Sequence, residues 1–236
     1  MWWHPFQYGY ESLLNLFYPQ QCSVCRRSLL HREGMLCLHC LNNLPKTDLH
    51  LYQENMIMDV FAGRLLLAKA TSFLYFTQTG MVQELLHELK YRNNKELGIY
   101  LGKLMGLELE NQDWFEGIEA IVPVPLHFKK EYSRGYNQSG LLADGLSEAC
   151  GKPAWHRLLL RTRNTDSQTK KNRIERWENV KDVFEIGSSK AGVKHILLVD
   201  DVLTTGATLE ACGRTLMKSY PELKLSVLTL AVAKDL

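Results

Sequence analysis

The sequence predicts an α/β fold, a parallel sheet flanked by helices, with a small cysteine-bearing module in front of it. Three observations predict it. Short apolar runs at Ala120–Pro123, Ile196–Val199 and Leu225–Leu230 alternate with helical segments expected over Ser139–Cys150 and Thr208–Lys218, which is the pattern of βαβ units. Two Cys-x2-Cys pairs, Cys22/Cys25 and Cys37/Cys40, precede the first of these runs. The chain has 236 residues, of which 45% are apolar, enough for one α/β core plus a small appendage.

Along the chain, Tyr10 to Tyr18 has apolar residues at helical spacing and is stopped by Pro19, predicting a lead-in helix. Residues 1–50 are expected to hold that helix and the cysteine module, and residues 60–236 the larger domain. Within the latter, Leu66 to Phe76 reads as a strand or hairpin, while Met81–Tyr91 and Lys95–Leu107 read as helices. Together, 60–110 is expected to form a cover over the core at 118–236. Lys+Arg of 28 against Asp+Glu of 26 gives a net charge of +2, so no global field draws the chain to nucleic acid or an anionic membrane. Met1 to Gln7 lacks a basic n-region and an apolar h-region. The longest apolar stretch, Leu225 to Ala233, is broken by Ser226 and Thr229 and is too short to span a bilayer. The expectation is a soluble, cytoplasmic chain with no membrane insertion.

The most informative segment runs from Ile196 to Thr208. An apolar strand leads into Asp200 and Asp201, then into a turn of Thr204, Thr205, Gly206, Ala207 and Thr208, where a helix opens. That order places carboxylates and turn at the carboxyl end of a parallel strand, where open α/β sheets bind ligands. The turn's amides and hydroxyls, with the helix dipole, suit a monophosphate, and Gly206 lets the backbone approach it or take a positive φ. Two carboxylates repel phosphate, so Asp200 and Asp201 suit vicinal sugar hydroxyls, with Mg²⁺ nearby. The loop lies at a strand end and is expected to stand outside the core. It resembles the signature with which type I phosphoribosyltransferases bind 5-phosphoribosyl pyrophosphate (PRPP). The chain has no Gly-x4-Gly-Lys-Ser/Thr and no Gly-x-Gly-x-x-Gly, which disfavours nucleotide hydrolases and dinucleotide folds.

A second loop follows Val122-Pro123-Val124-Pro125-Leu126, whose prolines stiffen the strand exit. Lys129, Lys130 and Arg134 come next and suit a pyrophosphate; the bland alternative for the lysines is a solvated surface pair. Between Arg157 and Phe184 lies a strongly cationic stretch that includes Arg161, Arg163, Gln168, Lys170, Lys171, Arg173 and Arg176. Residues 157–184 are expected to form a hood that closes over a bound anion, the alternative being an exposed charge run.

Assembled, these residues resemble the ComF family, which includes ComFC- and GntX-like proteins. The resemblance covers nearly the whole chain. It is carried by Pro19-x-x-Cys22-x-x-Cys25 with Cys37-x-x-Cys40, Leu89-Lys90-Tyr91, Val122 to Leu126, Arg134-Gly135-Tyr136-Asn137-Gln138, Thr165-x-x-Gln168, Arg176-x-x-Asn179-Val180 and the Asp200–Thr208 loop. The wording at Gln168 to Lys171 and Glu175 to Val180 is similar to Bacteroidetes-type members. Lys129 stands where many members have Arg, and Tyr136 where many have Phe. The resemblance implies a type I phosphoribosyltransferase fold, PRPP with Mg²⁺ as ligand and a zinc-ribbon-like front module. It also implies a link to competence, single-stranded DNA and competence proteins, and names no acceptor.

The two cysteine pairs are separated by eleven residues and can converge on one tetrahedral Zn²⁺. Arg26, Arg27, His31 and Arg32 leave the segment too polar for a core of its own, so metal would supply its folding energy. Alternatives are an Fe–S centre or disulfides, and His31 or His39 could replace a thiolate. Cys150 and Cys212 lack a partner pair and read as apolar filler. Two functions are open on this reading: Mg²⁺-dependent transfer of phosphoribosyl from PRPP to an acceptor with release of pyrophosphate, or accessory handling of single-stranded DNA during uptake on the same fold.

Overall fold

Strand β5 (His195–Leu203) begins with the run Ile196-Leu197-Leu198-Val199, all four residues fully buried. A continuous apolar run rather than an alternating one is what a central parallel strand needs, because both its faces are covered. Its neighbours are β6 (Lys224–Ala233) and β2 (Ala120–Pro123), and β1 (Lys69–Phe76) lies beyond β6. The sheet runs β1-β6-β5-β2 with every pairing parallel, in the register Ala120↔Ile196, Val199↔Leu228 and Lys69↔Ser226. The computed structural model describes residues 20–78, 80–110, 113–162, 183–188 and 192–234. The expected lead-in helix at 10–18 and most of the expected hood, including Gln168, Lys170, Arg173 and Arg176, lie outside them.

Two compact units make up the chain, 1–44 and 45–236. In the first, helix α1 (Leu38–Asn42) starts directly after Cys37. In the second, α2 (Met56–Phe61) is capped by Asn55, whose side chain accepts from the amides of Ile57 and Met58. Helices α3 (Met81–Tyr91) and α4 (Lys95–Glu110) follow β1, and α5 (Phe128–Arg134) and α6 (Gln138–Cys150) follow β2. A short antiparallel pair, β3 (Leu159–Arg161) and β4 (Phe184–Ile186), precedes β5, and α7 (Ala207–Ser219) joins β5 to β6.

The cover expected of 60–110 is corrected in one respect. Its strand β1 is a full member of the main sheet, paired along its length with β6. Ala70, Phe73 and Leu74 are buried there, so this strand belongs to the core. Sequence gave no sign of this, because a strand's pattern states which face is buried and not which strand it joins.

Helices α4 and α6 pack through small residues. Gly98, Gly102 and Gly106 form a stripe on α4, and Gly145 answers it on α6. A Cβ on Gly102 would lie 2.2 Å from the Leu142 carbonyl oxygen, and one on Gly145 would lie 2.1 Å from that of Ile99. Only glycine permits this backbone-to-backbone approach. It fixes the position of α6, whose first turn carries Ser139 to the end of β5.

Candidate functional site

At the end of β5 the two carboxylates are each held by a different helix. Asp200 Oδ1 accepts from Ser139 Oγ on α6 at 2.8 Å and from the Asp201 amide at 2.9 Å. Asp201 is paired at 2.8 Å with Lys90 Nζ, from the last turn of α3. Ser139 is placed by Asn137, which caps α6 by accepting from the Ser139 amide and ties back to the strand exit by donating to the Val124 carbonyl. Burial, and then the neighbouring Asp201 charge, push the Asp200 carboxyl up to about 7, against the pull of Ser139, the Asp201 amide and Lys90.

The chain then turns through Thr204 and Thr205 into Gly206, which has φ 74° and starts α7. Thr204, Thr205, Ala207 and Thr208 are exposed, whereas Gly206 is buried. Gly206 gives α7 no side-chain cap, so the helix's first amides are left to water or a ligand. The expectation that this loop stands clear of the core needs correction at Gly206. A Cβ there would lie 3.0 Å from the ring of Phe61, which is fully buried. From its outer side Arg64 clamps the loop, donating to the carbonyls of Thr205 at 2.9 Å and Val60 at 3.0 Å and, through Nε, to Glu210 at 2.8 Å. Although burial opposes it, hydrogen bonds from Arg64 and Arg214 hold the Glu210 carboxyl below its ordinary range.

Beside Asp201 opens a cleft of about 560 Å³ between the end of α3 and helix α5. Lys90, Tyr91 and Asn93 line one wall, and Lys130, Tyr132 and Arg134 the other. Arg134 donates to Gln138 Oε1 at 2.9 Å, and its guanidinium lies 5.8 Å from the centre of the Tyr91 ring. Of the basic residues singled out from sequence in the second loop, Lys130 and Arg134 are in this wall. Lys129 is exposed on α5 outside it. Arg161 sits on β3 with its guanidinium 5.5 Å from the Phe184 ring and does not line the cleft.

Sequence reasoning gave no role to Lys90, Ser139 or Arg64. The first lies in the motif Leu89-Lys90-Tyr91, and the second stands two residues after Asn137, an Asn with the properties of a helix cap. Arg64 carried no signal, because its partners at the loop, Thr205 and Glu210, are remote in sequence.

In the first unit the sulfurs of Cys22, Cys25, Cys37 and Cys40 all lie within 4.8 Å of one another. Cys25 and Cys37 are 3.7 Å apart, far beyond a bond between sulfurs and near the ~3.8 Å edge of a tetrahedron with ~2.3 Å metal–sulfur bonds. Burial opposes ionisation of Cys22, but amides of Cys37, Cys25 and Val24 aimed at its sulfur hold it down to about 6. Burial and the surrounding sulfurs push Cys40 up. Four soft donors crowded this closely, with one poised as a thiolate, fit a metal ion such as zinc. Glu33 braces the cluster by accepting from the amides of Leu30 at 2.7 Å and Leu38 at 2.8 Å. Cys212 is buried in α7 and Cys150 half-buried at the end of α6, and neither joins the cluster.

No helix among the described residues is long and apolar enough to cross a membrane. No family model matches the chain. The DNA utilization protein YhgH of Escherichia coli (strain K12) is 29% identical over 201 residues, 84% of each chain. Competence protein F of Haemophilus influenzae is 32% identical over 139 residues, 57% of this chain and 61% of that protein. Competence protein ComFC of Bacillus subtilis is 27% identical over 214 residues, 89% of this chain and 82% of that one. Among solved structures, the B. subtilis glutamine PRPP amidotransferase complexed with ADP and GMP is 16% identical with a TM-score of 0.39, covering 61% of this chain and 30% of that enzyme. Over most of its length the chain is a homologue of the ComF, ComFC and YhgH proteins.

Proposed function

We propose that the larger unit is a phosphoribosyltransferase that takes Mg²⁺-chelated PRPP and transfers its phosphoribosyl group to an acceptor, releasing pyrophosphate. The observation that carries this is the junction of β5 and α7: two adjacent carboxylates running directly into an uncapped, hydroxyl-rich helix start. In this reading the exposed Thr204, Thr205 and Thr208 and the amides of the Thr204–Thr208 loop bind the 5′-phosphate. Asp200 and Asp201 accept hydrogen bonds from the ribose hydroxyls, Lys90 and Ser139 orienting them. Pyrophosphate is received by cations of the loop after β2, Lys129 and Arg134, and by Arg161, Gln168, Lys170, Arg173 and Arg176 of the 157–184 segment. Mg²⁺ arrives with the substrate, and the protein acts in the cytoplasm.

The same reading gives the Cys22, Cys25, Cys37, Cys40 site to a structural Zn²⁺. Four protein thiolates close the coordination shell and leave no position for a substrate.

A second reading is favoured by the names of the relatives, which are DNA utilization and competence proteins. In it the fold serves single-stranded DNA handling during uptake, with competence proteins as partners and the cysteine module and the cationic stretch 157–176 as strand contacts.

Calorimetry with PRPP, with and without Mg²⁺, tests the first reading, followed by an acceptor screen that reads released pyrophosphate. Mg²⁺-dependent binding that falls in Asp201→Asn supports it. Salt-sensitive strand binding without PRPP binding would favour the second.

A further inference from the structure

The cleft between α3 and α5 has a composition that pyrophosphate alone does not require. Lys130 and Arg134 make it cationic beside the Asp201-paired Lys90, and among the described residues no carboxylate lines it. Two aromatic rings lie among these cations in the same wall residues, and both are turned to solvent: Tyr91 is 67% exposed and Tyr132 is 91% exposed. Phe128, one helical turn before Tyr132 on the same face of α5, is 64% exposed as well. Large aromatic side chains on a short helix ordinarily turn inward, and here none of the three does.

A cluster of exposed rings interleaved with cations is suited to an anion that carries a flat ring of its own. Stacking on tyrosine rewards the flat ring, the cations reward the phosphate, and Asn93 offers an amide donor and acceptor for a base edge. At about 560 Å³ the cleft is within the range of small-molecule sites. Arg134 is already set in place, since it donates to Gln138 and lies against the Tyr91 ring. Less of its freedom is then lost on meeting a phosphate. A bare phosphate or pyrophosphate would use the cations and gain nothing from the rings. An acidic peptide would use the cations equally well but would not need flat stacking partners.

We infer that this cleft binds a nucleotide, with its base stacked on Tyr91 and Tyr132 and its phosphate on Lys130 and Arg134. Lys90 lines the cleft and also pairs with Asp201, so the bound base lies next to the carboxylate site. That the nucleotide is the acceptor rests on the phosphoribosyltransferase reading, whereas the binding itself does not. The nucleotide can come free in solution or as one residue of a single strand, since both present a base and a phosphate.

The test is equilibrium binding of deoxyadenosine 5′-monophosphate, which lacks the vicinal hydroxyl pair that Asp200 and Asp201 would hold. 2-Deoxyribose 5-phosphate and deoxyadenosine serve as half-ligands. Saturable binding of the whole nucleotide, at least tenfold tighter than either half and weakened about tenfold in Tyr132→Ala and in Tyr91→Leu, is expected. Both side chains are exposed, so neither variant threatens the fold, and far-UV circular dichroism checks this. Binding no tighter than 2-deoxyribose 5-phosphate, or unchanged in both tyrosine variants, overturns the inference, as does equal displacement by a glutamate peptide. Asp201→Asn separates the two claims: loss of PRPP binding with nucleotide binding intact is expected. Nucleotide binding in a protein that never binds PRPP would sink the enzyme reading and leave the cleft standing. Hexameric d(A)6 identifies the source, tighter tyrosine-dependent binding pointing to a strand and equal or weaker binding to a free nucleotide.

Discussion

Lys90 Nζ lies 2.8 Å from the Asp201 carboxylate, and through it the last turn of α3 reaches the carboxyl end of β5. Lys90 also lowers the pH at which neighbouring Asp200 ionises. Lys90→Met therefore raises Asp200 above its value of about 7, because two adjacent carboxylates lose their shared cation. Carboxyl carbon NMR titration of the ligand-free protein reads this directly. An unmoved titration would show that the pair does not persist in solution.

Asp200→Asn changes how stability depends on pH. The folded carboxyl ionises at about 7, above the roughly 3.9 of an unfolded Asp, so the folded state keeps a proton that the unfolded chain releases. Its contribution to stability is present below pH ~4 and is lost as the pH rises through about 7. The Asn variant has no such loss. Its advantage over the parent grows from pH ~4 to about 7, to on the order of 1–3 kcal/mol, and then levels off. Thermal melts across that range, without ligand, check the trend.

Asp201→Asn keeps the shape and removes a charge-assisted hydrogen bond worth about 1.5–3 kcal/mol, so PRPP affinity falls about 10- to 100-fold. Calorimetry at fixed Mg²⁺ measures it.

Gly206→Val acts on fold and ligand together. A β-branched residue is strained at φ 74°, and its Cβ presses on Phe61. The expected cost is about 2–4 kcal/mol of stability, along with loss of PRPP binding. Denaturant unfolding that matches the parent would mean the loop relaxes without reaching the core.

Purified protein is expected to hold about one zinc per chain in the Cys22, Cys25, Cys37, Cys40 cluster. Cys37→Ser releases the metal and unfolds the first unit while the 45–236 unit keeps its cooperative transition. Elemental analysis and calorimetry check the two halves of that statement. Iron in place of zinc would overturn the metal assignment.

Strands β2, β5 and β6 were legible because doubly covered parallel strands are continuous apolar runs with turn residues at each end. Helices α3, α6 and α7 were legible from their spacing, to within a few residues. Membership of β1 in the sheet was not, since Lys69 to Phe76 states a pattern and no partner. Helix α5 was also missed: Phe-Lys-Lys-Glu-Tyr-Ser-Arg has no inward stripe, and its rings face solvent. The Asp-Asp-to-Thr loop could be found because its chemistry is contiguous. Lys90, Ser139 and Arg64 reach it from remote parts of the chain, and such long-range placements are products of packing that no local window encodes.

The glycine contact between α4 and α6 limits how this molecule can move. Helices that meet through side chains can creep past one another as rotamers exchange, but two backbones in contact offer no such gearing. Gly145→Ala would wedge them apart at a cost of about 2–4 kcal/mol and carry Ser139 off Asp200. With the wild-type glycines, α4, α6 and the Ser139–Asp200 contact form a chassis. Adaptation to a ligand then falls to what is mounted on it, the α3 end and α5, where the solvent-facing Tyr91 and Tyr132 can turn at little cost.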